Sequence, residues 1–213
     1  MPLITRIDEE IEKRSLLKHP FYKAWSAGGL TLDQLAGYSR EYFQLVKAVP
    51  GLVSNLASFP TAGPAMISQI QGNLLEERSH IEPWVRFAGT LGVKRTDLEG
   101  YPGASGALKA VGSLDTLTRS SFYEGVAAMY AYEKQLPEIS RSKIDGLKKH
   151  YGIEGGDGTR YFELHEEADV RHAALWRETL AGSAVNEGRV MDAAVGSLIA
   201  QNSLLDSVVE KYC

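Results

Sequence analysis

The chain has 213 residues, 44% of them hydrophobic and 23% charged, and a formal net charge of −4. This length predicts a single domain over residues 1–213 with a substantial core. The weak negative charge argues against a basic surface for nucleic acid or anionic lipid, and no apolar run approaches the roughly 18 residues of a membrane span. Cys213 is the one cysteine, so no disulfide forms within the chain. With no signal peptide in residues 1–20, a cytoplasmic location is expected.

Helical periodicity dominates the chain, and convincing strand alternation is absent. Pro20 suits the first turn of a short helix that Gly28 ends, and Thr31 is a suitable N-cap for the long helix that follows. Pro50 is expected to kink or split that long helix, and Pro137 to bend a later one. The sequence therefore predicts an all-α bundle, with helical segments at residues 5–17, 21–27, 32–59, 64–91, 107–112, 118–148, 159–180 and 187–211.

The segment from His165 to His172 carries the strongest chemical signal. His165, Asp169 and His172 are spaced i, i+4 and i+7, so they project from one helical face within an arc of about 60°. Converging nitrogen and oxygen donors suit a borderline divalent metal such as iron or manganese. Glu77 and His80 form a Glu-x-x-His pair, which is half of a di-metal carboxylate site in bundle proteins but is common by chance. Together these residues predict redox metal chemistry.

Several other residues are ambiguous from spacing alone. Glu76 competes with Glu77 as a ligand, because only one of two adjacent helical residues can face the core squarely. Glu133 ends a run of seven apolar residues, and either a metal or exposure at the edge of the helix would satisfy its charge. Lys143 reads as a surface charge. Most of the ten tyrosines fit the edge of a core, although a phenol beside an oxygen-activating metal could donate electrons.

Three segments together resemble one known family. Residues 21–38, which include Phe21-Tyr22 and Trp25, resemble the N-terminal signature of haem-oxygenase-like proteins related to the PQQ-biosynthesis oxidase. Residues 130–146 and above all 165–172 are similar to the CADD-like proteins, named for a chlamydial protein that associates with death domains. The resemblance implies a haem-oxygenase-like bundle of about seven helices, with a di-iron or manganese–iron centre in place of haem. By analogy with the fold, a homodimer is expected.

The resemblance also implies residue roles. The implied enzyme uses O2 and an external reductant to make 4-aminobenzoate for folate synthesis, by excising the ring of one of its own tyrosines with a lysine as amino donor. Matching positions give Tyr22 as the consumed residue, Lys143 as the donor, and Tyr38 and Tyr132 as neighbours in radical transfer, with Tyr161 also near the metals. The implied ligands of the two metal ions are Glu77, His80, Glu133, His165, Asp169 and His172.

Other functions remain open at this point. A PQQ-biosynthesis-type or other metal oxidase would act on a free small molecule and leave Tyr22 intact. A bundle of the death-domain-associating type would bind another protein through its surface, though no surface patch in the sequence marks that role. Thiaminase activity needs a cysteine nucleophile, and Cys213 is a poor candidate for one.

Overall fold

The computed structural model describes residues 1–183 and 185–213, and within these ranges the regular structure is helical. The all-α prediction is confirmed, and the helix count roughly matches the expected seven. No helix in the described ranges combines the length and hydropathy needed to cross a membrane. Single 3₁₀ turns lie at Leu16–Lys18 and Gly156–Gly158. The α-helices are α1 (Leu3–Lys13), α2 (Pro20–Ala27), α3 (Leu32–Ala57), α4 (Pro64–Thr90), α5 (Arg95–Glu99), α6 (Ser105–Ser120), α7 (Phe122–Glu133), α8 (Leu136–Tyr151), α9 (Arg160–Ala181) and α10 (Glu187–Tyr212).

The long helix α3 runs unbroken through Pro50, so the expected split does not occur. Its start follows the sequence: the Thr31 hydroxyl accepts a hydrogen bond from the Gln34 amide, and the Gln34 side chain accepts one from the Thr31 amide in return. Proline removes one backbone donor, whereas Val49 and Val53 on either side of it are buried in the core. Burial of this apolar face outweighs the lost hydrogen bond.

The middle of the chain is divided differently from the prediction. Helix α6 continues through residues 113–117, because Leu114 is buried and the Ser113 hydroxyl bonds back to the Lys109 carbonyl. The predicted segment 118–148 is instead interrupted at Ser121, which adopts an extended conformation and caps the start of α7. The chain breaks again at Lys134, just after Glu133. Glu133 thereby lies at the end of a buried helix.

The bundle brings five helices around one interior region. Helix α4 packs on α3 and α9, and α9 packs in turn on α7 and α8. The short helix α2 lies on α8 at a point where Gly146 is required, since a Cβ there would stand only 2.6 Å from Cδ1 of Trp25. The Trp25 indole donates a hydrogen bond to the Lys143 carbonyl at 3.2 Å. This close approach sets Tyr22, on α2, against Lys143, on α8.

Candidate active site

The six residues expected as metal ligands lie together in the interior, and they are called the metal group below. They fall into two groups within which the donor atoms lie no more than 4.8 Å apart: one contains Glu77, His80 and His165, and the other contains Glu77, Glu133, Asp169 and His172. Helices α4, α7 and α9 supply them, and each is no more than 5% exposed. Glu77 belongs to both groups, so its carboxylate is placed to bridge two ions.

His172 is the centre of the second group. Its Nδ1 atom lies 3.4 Å from Glu77 Oε1, 3.9 Å from Glu133 Oε2 and 3.7 Å from Asp169 Oδ1. In the first group, His80 Nδ1 lies 3.5 Å from Glu77 Oε2. Each imidazole therefore faces carboxylates across a gap of the size that an intervening cation would fill.

The outer nitrogens of two histidines are held by fixed partners. Nδ1 of His165 lies 2.7 Å from the Tyr161 carbonyl, so this nitrogen donates and Nε2 is left for a metal. Nε2 of His172 lies 3.1 Å from the carboxylate of Glu76, which leaves Nδ1 for the interior. Such partners orient metal-binding imidazoles. Of the two adjacent glutamates, Glu77 faces the group and Glu76 supports it from outside.

The interior residues fit a pair of divalent ions. Within the described ranges, five buried polar atoms of this group have no hydrogen-bond partner: His80 Nδ1, Glu133 Oε1, both carboxylate oxygens of Asp169, and His172 Nδ1. Buried polar atoms without partners are costly. Three imidazoles and three carboxylates are donors that iron and manganese accept, and three negative charges offset most of the four positive charges of two such ions.

Burial and mutual repulsion hold protons on two of the carboxylates. Burial raises the pKa of Glu133 to about 8, with Glu77 adding to the rise and His172 opposing it. Burial, then Glu133 and Glu77, raise the pKa of Asp169 well above its usual range. Burial opposes ionisation of Glu77 as well, but the adjacent imidazoles of His172 and His80 hold its pKa below the usual value. Metal binding would displace the protons of Glu133 and Asp169.

The two histidines of α9 differ in the protonation state that their surroundings favour. Burial lowers the pKa of His165 to about 4, so its imidazole is neutral, as metal binding requires. Burial also disfavours the charged form of His172, but the nearby carboxylates of Glu77 and Glu133 raise its pKa to about 9. A metal ion would take the place of the proton that His172 carries.

A second buried cluster lies beside the metal group. It contains Lys143, Tyr22, Tyr38 and Tyr42 and is called the lysine–tyrosine pocket. Lys143, which reads as a surface charge from sequence, is only 4% exposed. Its Nζ donates a hydrogen bond to the Tyr38 hydroxyl at 2.7 Å, and that hydroxyl lies 3.3 Å from the hydroxyl of Tyr22. The same nitrogen lies 4.8 Å from the centroid of the Tyr22 ring and 5.0 Å from that of Tyr42.

Burial keeps both partners in this pocket uncharged. It lowers the pKa of the Lys143 amine well below its usual value, and it raises the pKa of the Tyr22 and Tyr38 phenols. No carboxylate of the described residues forms a salt bridge with Lys143. Burial therefore favours the neutral amine and the neutral phenols in this pocket.

Tyr161 and Tyr132 lie between the pocket and the metal group. The Tyr161 ring lies 4.1 Å from that of His165, centroid to centroid. Tyr132 is buried next to Glu133, and the charges of Tyr42, Tyr161 and Glu77 add to the rise that burial causes in its pKa.

Sequence reasoning missed two residues of this interior region, Tyr42 and Trp84, which lie on α3 and α4. Both are buried, and their ring centroids are 5.0 Å apart. Each lies one helical turn after a predicted site residue, Tyr42 after Tyr38 and Trp84 after His80. The i+4 spacing was the signal that could have found them.

A surface groove of about 450 Å³ reaches the metal group from outside. Its apolar part is formed by Pro137, Val170 and the adjacent alanines of α9, and Asp169 is among its lining residues. Of the larger grooves in the described part of the chain, this one reaches a predicted ligand.

Comparison with known proteins gives consistent results. Residues 65–201 match the family model described as an iron-containing redox enzyme. The chain is 36% identical over 178 residues to a 4-aminobenzoate synthase of Chlamydia muridarum, which covers 81% of this chain and 75% of the relative. It is 33% identical to a 4-aminobenzoate synthase of Nitrosomonas europaea, over 98% of this chain and 91% of the relative.

Solved structures support the fold. A domain of unknown function from Shewanella denitrificans, with a haem-oxygenase-like fold, superposes with a TM-score of 0.82 at 17% identity, over 99% of this chain and 91% of the other. At this identity the likeness concerns the arrangement of helices, and it agrees with the fold that the sequence resemblance implies.

Proposed function

The chain belongs to the haem-oxygenase-like family of iron-containing redox enzymes, and on that premise we propose that it makes 4-aminobenzoate from its own Tyr22 and Lys143. One observation carries the proposal: the Lys143 amine is buried, hydrogen-bonded to Tyr38, and 4.8 Å from the Tyr22 ring centroid. A buried lysine without a carboxylate partner is costly, and a role as amino donor accounts for it. The relatives named above carry the same activity in their names.

Two metal ions, Fe/Fe or Mn/Fe, would be held by the six interior residues. Glu77, His80 and His165 would hold one ion, and Glu77 would share its carboxylate with the other ion beside Glu133, Asp169 and His172. Such a pair would supply the oxidising chemistry of O2, with electrons drawn from an external reductant. The protein's part is to orient the imidazoles and to keep bulk water away from the interior.

The proposed reaction balances as follows. The Cα–Cβ bond of Tyr22 breaks, and Cβ is oxidised to the carboxyl carbon of the product at the expense of O2. A bond from the ring to the Lys143 nitrogen replaces the phenolic C–O bond, whose oxygen leaves as water. Cα of Tyr22 gains a hydrogen, which leaves glycine at this position, and the Cε–Nζ bond of Lys143 is cleaved oxidatively, which leaves Cε as an aldehyde. Overall, two O2 and two electrons with two protons from the external reductant are consumed, and two water molecules are released. Each chain can therefore react once.

Lys143 and Tyr38 have distinct proposed tasks. Burial favours the neutral amine of Lys143, which keeps a lone pair for bond formation. The Tyr38 hydroxyl lies between that amine and the Tyr22 hydroxyl, so it can pass a proton from one to the other. Tyr132 and Tyr161 would take part in electron transfer between the metals and the pocket.

The deciding experiment is isotope tracing in the purified protein. The chain is produced with [ε-¹⁵N]lysine and ring-deuterated tyrosine, loaded with ferrous ion or with manganese and iron, and exposed to reductant and O2. We expect doubly labelled 4-aminobenzoate in the filtrate and a peptide that has lost the Tyr22 side chain. Unlabelled product, or an intact Tyr22 after product release, would refute self-consumption.

Matched variants localise the reaction. Tyr22→Phe should make no 4-aminobenzoate, whereas Tyr130→Phe, at another buried tyrosine that bonds Asp8 instead, should retain product formation. If labelled lysine nitrogen is absent but Tyr22 is consumed, the amine comes from solution and the role of Lys143 fails. Oxygen consumption with an intact chain would favour an oxidase of free small molecules.

Two wider expectations stay predictions: a cytoplasmic location and a homodimer. Light scattering of the metal-loaded protein measures the second, and a monomer that still makes labelled product would show that the reaction needs one chain.

A further inference from the structure

An aromatic series links the metal group to the lysine–tyrosine pocket. Ring centroids are 4.1 Å apart for His165 and Tyr161, and 4.6 Å apart for Tyr161 and Trp84. Trp84 then lies 5.8 Å from Tyr38, whose ring lies 6.4 Å from that of Tyr22. These are contact distances for aromatic pairs.

Trp84 occupies the central position in this series. Its ring contacts Tyr161 on the side of the metal group and both Tyr38 and Tyr42 on the side of the pocket. Phe162 also lies beside Trp84 and near Lys143, but a benzene ring is much harder to oxidise than an indole or a phenol. Among the ring pairs of the described residues whose centroids lie within contact distance, the series of oxidisable rings that leads from Tyr161 to Tyr38 passes through Trp84.

The surroundings of Trp84 favour loss of an electron without loss of a proton. The side chain is fully buried, and its indole N–H donates to the Ser39 carbonyl at 3.0 Å. A backbone carbonyl does not take up a proton, so the indole keeps its hydrogen. The ring is also fixed by packing, which limits reorganisation during electron transfer.

We propose that Trp84 relays electrons, one at a time, from the Tyr22–Tyr38 pair toward the metal group. This inference rests on the proposed function, because the electron acceptor is the oxidised metal pair. Trp84 gives one electron toward Tyr161 and takes one from Tyr38, so it ends unchanged. In net terms Tyr22 loses one electron and one proton, and the proton passes through the Tyr38 hydroxyl to the Lys143 amine.

A pair of substitutions separates relay from packing. Trp84→Phe and Trp84→Tyr leave similar space in the core and differ by one hydroxyl, but only the second keeps an oxidisable ring. We expect Trp84→Phe to slow single-turnover formation of 4-aminobenzoate by about tenfold or more, and Trp84→Tyr to restore most of the rate. Equal losses in the two variants would overturn the relay, because packing alone would then explain them.

A second readout does not depend on product. Freeze-quenched samples of the oxidised protein are measured by electron paramagnetic resonance, with and without indole-deuterated tryptophan. A radical whose hyperfine pattern changes on deuteration and vanishes in Trp84→Phe supports the relay. If wild-type radicals respond only to labelled tyrosine, and Tyr42→Phe rather than Trp84→Phe blocks product, the path runs through Tyr42 and the assignment to Trp84 fails.

Controls distinguish failure of the relay from failure of the proposed function. Phe87→Leu removes a buried ring that also contacts Trp84 but is not oxidisable, so it should keep the rate. Metal content and urea unfolding establish that each variant is folded and loaded. If the wild-type chain makes no 4-aminobenzoate, the proposed function fails. If the wild-type chain makes it and Trp84→Phe does so at the same rate, only the relay fails.

Discussion

Glu41 and Lys143 are both buried charged residues, but their surroundings differ. The Glu41 carboxylate is fully buried and accepts hydrogen bonds from the Tyr101 hydroxyl, from the Ala104 amide at 2.8 Å and from Lys211 Nζ at 3.1 Å. Lys143 has one hydrogen bond, to Tyr38, and otherwise lies among aromatic rings. Both sites border on helix α3.

Burial has different effects at the two sites. At Glu41 every oxygen is satisfied, so the cluster fastens the end of α10 to α3 and contributes stability. At Lys143 burial leaves an amine that forms no salt bridge among the described residues, and at Asp169 and Glu133 it leaves carboxylate oxygens without hydrogen bonds. Burial shifts the pKa values of all three groups. Unsatisfied buried groups cost stability, and they are typical of sites where chemistry requires them.

The largest contrast is expected from Lys143→Met, which should abolish 4-aminobenzoate formation and yet stabilise the protein by about 1–3 kcal/mol at neutral pH. In the unfolded chain the lysine binds a proton up to its ordinary pKa of 10.5, whereas burial lowers its pKa in the folded chain. Unfolding free energy of the wild type should therefore rise toward pH 10.5 relative to the variant. Urea unfolding across pH measures this, and a destabilised variant at neutral pH would contradict it.

At Glu41, the other site of the comparison, a substitution is expected to destabilise the protein. Glu41→Ala should destabilise the protein by about 3 kcal/mol, because it leaves the Ala104 amide without its acceptor and the Lys211 ammonium without its carboxylate. Glu210→Ala, at an exposed position of α10, is the control and should change stability little. The yield of 4-aminobenzoate per folded Glu41→Ala chain should stay at the wild-type level, and a lower yield would show that this cluster also shapes the site.

The buried carboxylates of Glu133 and Asp169 test the comparison further, because metal binding should release their protons. Burial raises the pKa of Glu133 to about 8, so this carboxyl is mostly protonated at pH 7, and burial also raises the pKa of Asp169, which favours its protonated form. Metal binding should release these protons and the one that His172 carries below its pKa of about 9, so apparent affinity rises with pH through this range. Calorimetric titrations in buffers of different ionisation enthalpy count the protons. Metal binding to Glu133→Gln should release about one proton fewer than binding to the wild type. An unchanged proton count would contradict the protonated state assigned to Glu133.

The smallest effect is expected at the groove that reaches Asp169. Ala174 is exposed and lines this groove, so Ala174→Trp should narrow it with little change in stability. We expect a chelator to remove metal about twofold to tenfold more slowly from the variant, as a modest increase in barrier would produce. Ala181→Trp, farther along α9, is the matched control, and equal rates in both variants would show that metal leaves by another route.

Sequence reasoning found the metal group better than it found the pocket. The His165, Asp169 and His172 spacing fixes one helical face, and a face with three donors has few alternatives. By contrast, Lys143 looks like a surface charge because its burial depends on α2, which is more than a hundred residues away along the chain. Sequence reasoning also missed Trp84: its i+4 spacing from His80 is visible in the sequence, but its contacts with rings on other helices depend on the fold.

The same distinction holds for the fold. Capping residues such as Thr31 mark helix starts reliably because their partners are local. The continuity of α3 through Pro50, and of α6 through Ser113, depends on burial against other helices. The split that was one of two outcomes expected at Pro50, and the gap expected at residues 113–117, were predicted wrongly because local propensity was weighed without the tertiary packing that overrides it.

Gly146 has a consequence for protein design. It lets the backbone of α8 approach the Trp25 indole more closely than any side chain would allow, and the spacing between the Tyr22 ring and the Lys143 amine follows from that approach. Anyone who transplants this reaction into an artificial four-helix scaffold would have to specify the helix separation first and the reactive residues second. Alanine at this one position would widen the separation, and the transplanted amine would no longer reach its ring.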